Sequence, residues 1–302
     1  MFINKIQPVD SLQNLKDRVD RFFKENLRRS NFRRQLPLDL KYPKNTSSPL
    51  RPEHKTPADL LNFISSLSPE NNIFLFGGVL RDLAIFGKRG FNSDIDIVVE
   101  GDWARCSDYI QTLGARKNKF GGFRLEVSGW PIDIWNAKET WAISQGLIQY
   151  NSIASLTKTT ILNWDAILMN WKTRSIICPE NYLDDLQERQ MDMVLLENPN
   201  PLGATVRVFR HLCSKDAKSI TKTTAEYLAI SAQNYSLNQL RSQEFKSYGN
   251  TLIEPAVYEL FEKLKEFEEI EIRERFRKAA NSLEKNGSTL SYQQLSWEFK
   301  EE

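Results

Sequence analysis

Apolar residues fall into two rhythms along this chain, a short-range alternation before about residue 140 and a helical spacing after it. Asp17 through Arg29 predicts a helix, and PLDLKYPKNTSSPLRPEHKTP, residues 37–57, has the Pro and Ser/Asn density of an irregular connector. Thr56-Pro57 can start a second helix, along which Leu60, Leu61, Ile64 and Leu67 recur at helical spacing. NNIFLFGG then reads as a buried strand ending in Gly77-Gly78. A short helix, VLRDLAIFG, stops at Gly87, and a polar loop leads to a second strand, DIDIVVE, residues 94–100. A helix over 102–113 follows, then two strands, FRLEVSG and PIDIWNA, joined by a Ser-Gly turn. This order of strands and helices predicts a small mixed sheet with helices beside it.

Beyond residue 140 the pattern predicts helices over 151–171, 183–193, 203–215, 223–233, 236–247 and 255–283. The last rests on Leu260, Leu264, Phe267, Phe276, Ala279 and Ala280. Its 258–280 stretch carries 7 acidic and 6 basic residues, the profile of a solvated helix face. The expected class is α+β, divided into a basic N-terminal helix and linker over 1–56, a sheet domain over 57–150 and a helical domain over 151–302.

Composition narrows the class. Of 302 residues, 40% are hydrophobic and 26% charged, with only 13 Gly and 12 Pro, which excludes collagenous, disordered and coiled-coil chains. No apolar run approaches the roughly 18 residues of a membrane span, and MFINKIQPVDSLQ lacks the apolar stretch of a secretory signal, so a cytoplasmic protein with no membrane partner is expected. Cys106, Cys178 and Cys213 are far apart, and His54 and His211 are the only histidines. Neither a disulfide framework nor a Cys or His zinc motif is readable. Charge is uneven: residues 1–56 hold 13 Lys/Arg against 6 Asp/Glu, and the rest 28 against 33. Within the basic segment, RFFKENLRRSNFRR interleaves aromatics with Arg28, Arg29, Arg33 and Arg34, as a surface gripping an RNA backbone would. The same residues fit a solvated helix with a buried Phe face.

Three pieces carry candidate chemistry. In FLFGGVLRD a buried strand ends in two glycines and turns into a helix, which lets backbone approach a ligand closely and points free N–H groups at a phosphate. Arg81 adds a cation there, and Asp82 is placed to pair with an arginine or orient the turn. In DIDIVV, Asp94 and Asp96 stand two residues apart on a strand and share a face, opposite Ile95 and Ile97. Like charges so placed are costly without a bridging cation, and hard oxygen donors suit Mg²⁺. An acidic exposed face is the structural alternative. Asp133 in WPIDIW is a third carboxylate among apolar residues, and three converging at a sheet edge would hold two metals about 3.5–4 Å apart for displacement at phosphorus.

The order GGVLRD, DIDIVVEGD, KFGGF and PIDIW resembles the nucleotidyltransferase head of the poly(A) polymerase and CCA-adding enzyme family, within the DNA polymerase beta superfamily. The resemblance implies that Gly77, Gly78, Arg81 and Asp82 bind the triphosphate, and that Asp94, Asp96 and Asp133 hold the two catalytic Mg²⁺ ions. It is convincing over about residues 58–150 and looser to about 215. KTTILNWDAILMNW lacks the family's Arg-Arg-Asp, while RSIICPENYLDDLQERQM keeps Pro179 and Asp185-Leu186 in register. RVFRHL resembles the arginine-bearing neck helix, so Arg207 and Arg210 are candidates for nucleotide contact, with pairing to nearby carboxylates as the favoured alternative.

The expectation is a metal-dependent nucleotidyltransferase moving a nucleoside monophosphate from a nucleoside triphosphate to an acceptor hydroxyl, with pyrophosphate leaving. The resemblance favours an RNA 3′ end of the tRNA type as acceptor. Two alternatives stay open: an enzyme of toxin or defence type modifying a protein or nucleotide, and an inert module that binds nucleotide or RNA.

Overall fold

The alternating half of the chain builds a sheet. The computed structural model describes residues 7–24, 54–215, 217–264 and 298–300. Their elements in chain order are α1 (Leu12–Lys24), α2 (Pro57–Ser66), β1 (Asn72–Phe76), α3 (Gly78–Phe86), β2 (Ile95–Glu100), α4 (Trp103–Thr112), β3 (Arg116–Lys117), β4 (Phe123–Val127), β5 (Trp130–Asn136) and α5 (Trp141–Ser144). Then come β6 (Leu168–Asn170), β7 (Ile176–Ile177), α6 (Tyr182–Glu188), β8 (Gln190–Met191), α7 (Pro201–Ser214), β9 (Ser219–Thr221), α8 (Lys222–Asn234), α9 (Leu237–Tyr248), α10 (Pro255–Glu262) and β10 (Glu298–Lys300). The class is α+β, a mixed sheet followed by a mostly helical part.

The described residues divide into two compact units, the first running to residue 160 and including 164–187, the second holding 161–163 and the described residues from 188 onward. In the first, a seven-stranded sheet has the order β3-β4-β5-β2-β1-β6-β7. Only β2 and β5 pair in parallel; every other neighbouring pair is antiparallel. Residues pointing to one face, Leu75, Ile97, Ile132 and Ile134, are fully buried, and α3 packs against β1 and β2. On the other face Phe74, Val98 and Leu168 join Ala137, Ile153 and Leu156 in a second apolar layer.

Helix signals read from the chain recur in the structure. Thr56 caps α2, its Oγ accepting from Asp59 N–H while the Asp59 carboxylate accepts from Thr56 N–H, and Pro57 occupies the first turn. The β4–β5 hairpin closes through Ser128 and Gly129, both with positive φ, which matches the twist of the flanking strands.

Three expectations need correction. No long helix spans 151–171: two 3-10 turns, Ile153–Lys158 and Asn163–Asp165, precede β6, which pairs with β1. All three residues of β6 are buried, so it shows no alternation and mimics an apolar helix segment. The helix expected over 183–193 stops at Glu188, and Gln190–Met191 instead pairs with β9. Because β6, β7 and α6 complete the first unit, that unit extends past the boundary expected at residue 150.

The N-terminal helix belongs to the first unit rather than to a separate domain. It begins earlier than the expected Asp17, and Leu15, Val19 and Phe22 form its buried face. Phe22 lies against Phe91 and Trp130 at ring separations of 4.6 and 5.4 Å, and Arg18 donates to the carbonyls of Leu83 and Ala84. The buried-Phe alternative thus holds for Phe22. Arg28, Arg29, Arg33 and Arg34, and the 255–283 prediction beyond residue 264, lie outside the described residues.

In the second unit β8, β9 and β10 form a parallel three-stranded sheet. Phe209 of α7 is fully buried, its ring 5.7 Å from Phe261 and 6.2 Å from Tyr258 of α10. Helices α7 to α9 follow the expected spans closely.

Candidate active site

Strand register gathers the charged residues. Across the sheet a single row reads Arg116, Arg124, Asp133, Asp96, Phe76 and Leu168, each the direct partner of the next. Directly paired residues share a face, and Asp94, two residues before Asp96, shares it too. Asp94, Asp96 and Asp133 therefore stand together where the start of β2 meets the middle of β5, on the face whose deeper part is the Phe74–Val98 apolar layer.

Arg124 lies among them. Its Nη2 donates to Asp94 Oδ2 at 2.6 Å and its Nη1 to Asp133 Oδ2 at 2.9 Å. The carboxylate side chains are 24% and 25% exposed and that of Arg124 47%, so the cluster opens to solvent. Burial pushes the Asp133 carboxyl up, Arg124 pulls it down, Asp94 pushes it up again, and the net shift is upward. Burial opposes the charge on Arg124, but Asp133 and then Asp94 outweigh it and its pKa rises. Sequence reading passed over Arg124. The signal was present, since Arg124 and Asp133 are equally far from the Ser128-Gly129 turn and an antiparallel hairpin sets them opposite.

A second, buried cluster shapes the turn after β1. Gly77 has φ +59° and ψ −116°, a conformation open to glycine, and a Cβ there would lie 3.4 Å from the Asp165 carbonyl. Its N–H donates to Ile167 O and its carbonyl accepts from Leu80 and Arg81, locking the turn to the approach of β6. Gly78 starts α3, with Ser93 Oγ 3.0 Å from where its Cβ would be. Arg81, only 6% exposed, donates from Nε to Asp82 at 3.0 Å, from Nη2 to Ser93 Oγ at 2.9 Å and from Nη1 to Asp165. Burial works against this charge, yet Asp165 and Asp82 together raise its pKa. Asp82, fully buried, accepts from Asn92 N–H at 3.1 Å and Ser93 Oγ at 2.7 Å. Asp82 thus does pair with an arginine, and the pair pins residues 92–93, immediately before Asp94. Asp165 is a member that sequence reading missed, since the stretch 151–171 that holds it was read as one helix. Replacing Gly77 with alanine should destabilise the first unit by about 1–3 kcal/mol, because any Cβ is strained at that φ and ψ; a urea midpoint unchanged from wild type would remove the turn from this account.

Arg207 and Arg210 belong to α7 of the second unit. Arg210 donates to Glu244 at 2.6 Å and lies over the Tyr248 ring at 4.3 Å. Glu244 is fully buried and also accepts from Leu252 and Ile253 N–H. Arg207 is exposed, and its carbonyl hydrogen-bonds His211 Nδ1 at 2.8 Å.

Carboxylate oxygens on one face, two of them on a single cation, are donors of the hard type that divalent ions take. Among the described residues no three His, Cys, Asp or Glu side chains are gathered closely enough to hold a metal; Arg124 lies between Asp94 and Asp133 instead. No helix among the described residues is long and apolar enough to cross a membrane.

No protein-family model matches the chain, and no curated protein matches it. Solved structures do. A Thermotoga maritima CCA-adding enzyme complexed with tRNA_CCA is similar at a TM-score of 0.50 and 18% identity, over 80% of this chain and 62% of that one. The fold is shared with part of a CCA-adding enzyme. A CCA-adding enzyme with CTP gives a TM-score of 0.48 at 19% identity, over 74% of this chain and 52% of that one. A tRNA-processing enzyme complex gives 0.49 at 13%, over 77% and 67%. This chain therefore spans about half to two thirds of the length of these enzymes, and at such identities the likeness is one of fold.

Proposed function

We propose that this protein is a nucleotidyltransferase that transfers a nucleoside monophosphate from a nucleoside triphosphate to the 3′ hydroxyl of a tRNA-like RNA, releasing pyrophosphate. The observation that carries the reading is the row of Asp94, Asp96 and Asp133 beside the Gly77-Gly78 turn, on a fold shared with a CCA-adding enzyme whose solved structure holds tRNA.

The triphosphate rests at the start of α3, where the Gly78 and Val79 N–H groups come before those of Leu80 and Arg81, which already donate to Gly77, and the helix dipole favours anions. Gly77 and Gly78 let it approach the backbone. Arg81 and Asp82 act one step back, holding the turn and the 92–93 loop in place rather than offering free polar atoms to the phosphates. Asp94, Asp96 and Asp133 are the residues that would hold Mg²⁺, which when bound neutralises phosphate charge and lowers the pKa of the attacking hydroxyl. No histidine base is required. Arg28, Arg29, Arg33 and Arg34 supply cations for an RNA backbone.

The test is incubation with each labelled nucleoside triphosphate and Mg²⁺, offering total RNA and total protein as separate acceptors, with Asp94→Ala as control. Label on RNA that the control lacks is the expected result. Label on protein alone would transfer the reading to a protein-modifying enzyme. Bound nucleotide with no label on either acceptor would leave a binding module.

A further inference from the structure

We propose that Arg124 is the resident counter-cation of the Asp94–Asp133 carboxylate pair, and that a divalent metal enters this site by exchanging with its guanidinium. The inference rests on the metal site of the proposed function and concerns how that site is kept before it is loaded.

Four observations converge on it. Arg124 contacts both carboxylates at once, one from each terminal nitrogen, so a single cation satisfies two acids that would otherwise repel each other. Its placement is built in by register, because Arg124 is the direct partner of Asp133, itself the direct partner of Asp96. Its side chain is more exposed than those of either acid, so solvent reaches it. Finally, release requires only a side-chain rotation. The β4 backbone stays in its ladder and the neighbouring Phe123, 1% exposed, stays in the core.

Leaving has a direction as well. Arg116, exposed on β3, is the direct partner of Arg124 on its other side. A guanidinium that swings away from the carboxylates moves toward a like charge, which disfavours release into empty solvent and favours it when an anion arrives. Metal delivered with a polyphosphate supplies both halves of that exchange: a cation for the acids and an anion for the two arginines.

The experiment measures Mn²⁺ binding to the full chain by the loss of the free-ion electron paramagnetic resonance signal, for wild type, Arg124→Gln, Arg124→Lys and Asp94→Asn. The glutamine variant, freed of the competing cation, should bind Mn²⁺ at least about tenfold more tightly than wild type. Lysine keeps the charge but cannot span both acids, and should fall between the two. If the glutamine variant fails to fold without metal, the lysine variant against wild type decides the matter. Equal or weaker binding in the Arg124 variants, with binding lost in Asp94→Asn, would overturn the exchange and leave the metal site standing. Binding that Asp94→Asn does not alter, or no binding by any form, would overturn the metal site and the exchange together.

Discussion

Arg81→Ala should destabilise the first unit by about 3–5 kcal/mol, the range for removing one partner from a buried ion pair. The size follows from what stays behind. Asp82 is fully buried and Asp165 nearly so, and both lose the guanidinium that compensates them. Asp165→Asn should cost far less, about 1–2 kcal/mol, since the amide oxygen still accepts from Arg81 and Asp82 still balances its charge. Equilibrium urea unfolding of the two variants beside wild type checks both values. Near-equal midpoints for wild type and Arg81→Ala would mean that the cluster does not hold the turn. The cluster ties Gly77-Gly78, residues 92–93 and the lead into β6 to one another, so its loss should also loosen the segment that carries Asp94.

Asp94→Ala and Asp96→Ala should behave in the opposite way, with little loss of stability and near-complete loss of transfer. Asp94 is paired with a half-exposed arginine, so truncation should shift folding by no more than about 1 kcal/mol. Transfer should fall by at least about a thousandfold, because several kcal/mol of charge stabilisation at phosphorus depend on the ion these carboxylates hold. Nucleotide binding should persist in part, through backbone N–H groups that neither substitution touches. Single-turnover transfer alongside equilibrium nucleotide binding separates the two effects. Turnover retained in either variant would sink the assignment of these aspartates.

Where side chains alternate against one solvent-facing and one buried layer, the chain could be read directly. The placing of Asp94, Asp96 and Asp133 on one sheet face was legible for this reason, since Ile95, Ile97, Ile132 and Ile134 beside them are fully buried in the fold. Gly77 was legible too, because a buried strand running into two glycines and a helix leaves few backbone choices. What escaped were partners brought in from a distance. Asp165 is 84 residues from Arg81, and only the pairing of β6 with β1 brings it near. Strand β6 was itself hidden, since a strand buried on both faces has no alternation to show. Arg124 went unnoticed, and only the hairpin register sets it against Asp133. The likeness noticed in the motifs agrees with the fold found in space, while the residues that bind the arginines had to be seen folded.

The two ends of the large sheet bear on how this protein avoids sticking to itself. Each terminates in a strand of two residues, Arg116–Lys117 on one side and Ile176–Ile177 on the other. Open strand edges template cross-β growth, and growth needs a run of unpaired backbone groups to extend. Here the first edge is short and displays two exposed cations that would meet their own copies head-on, and the second is followed closely by Pro179, which has no N–H to donate. A seven-stranded sheet thereby offers a newcomer little backbone to pair with at either border.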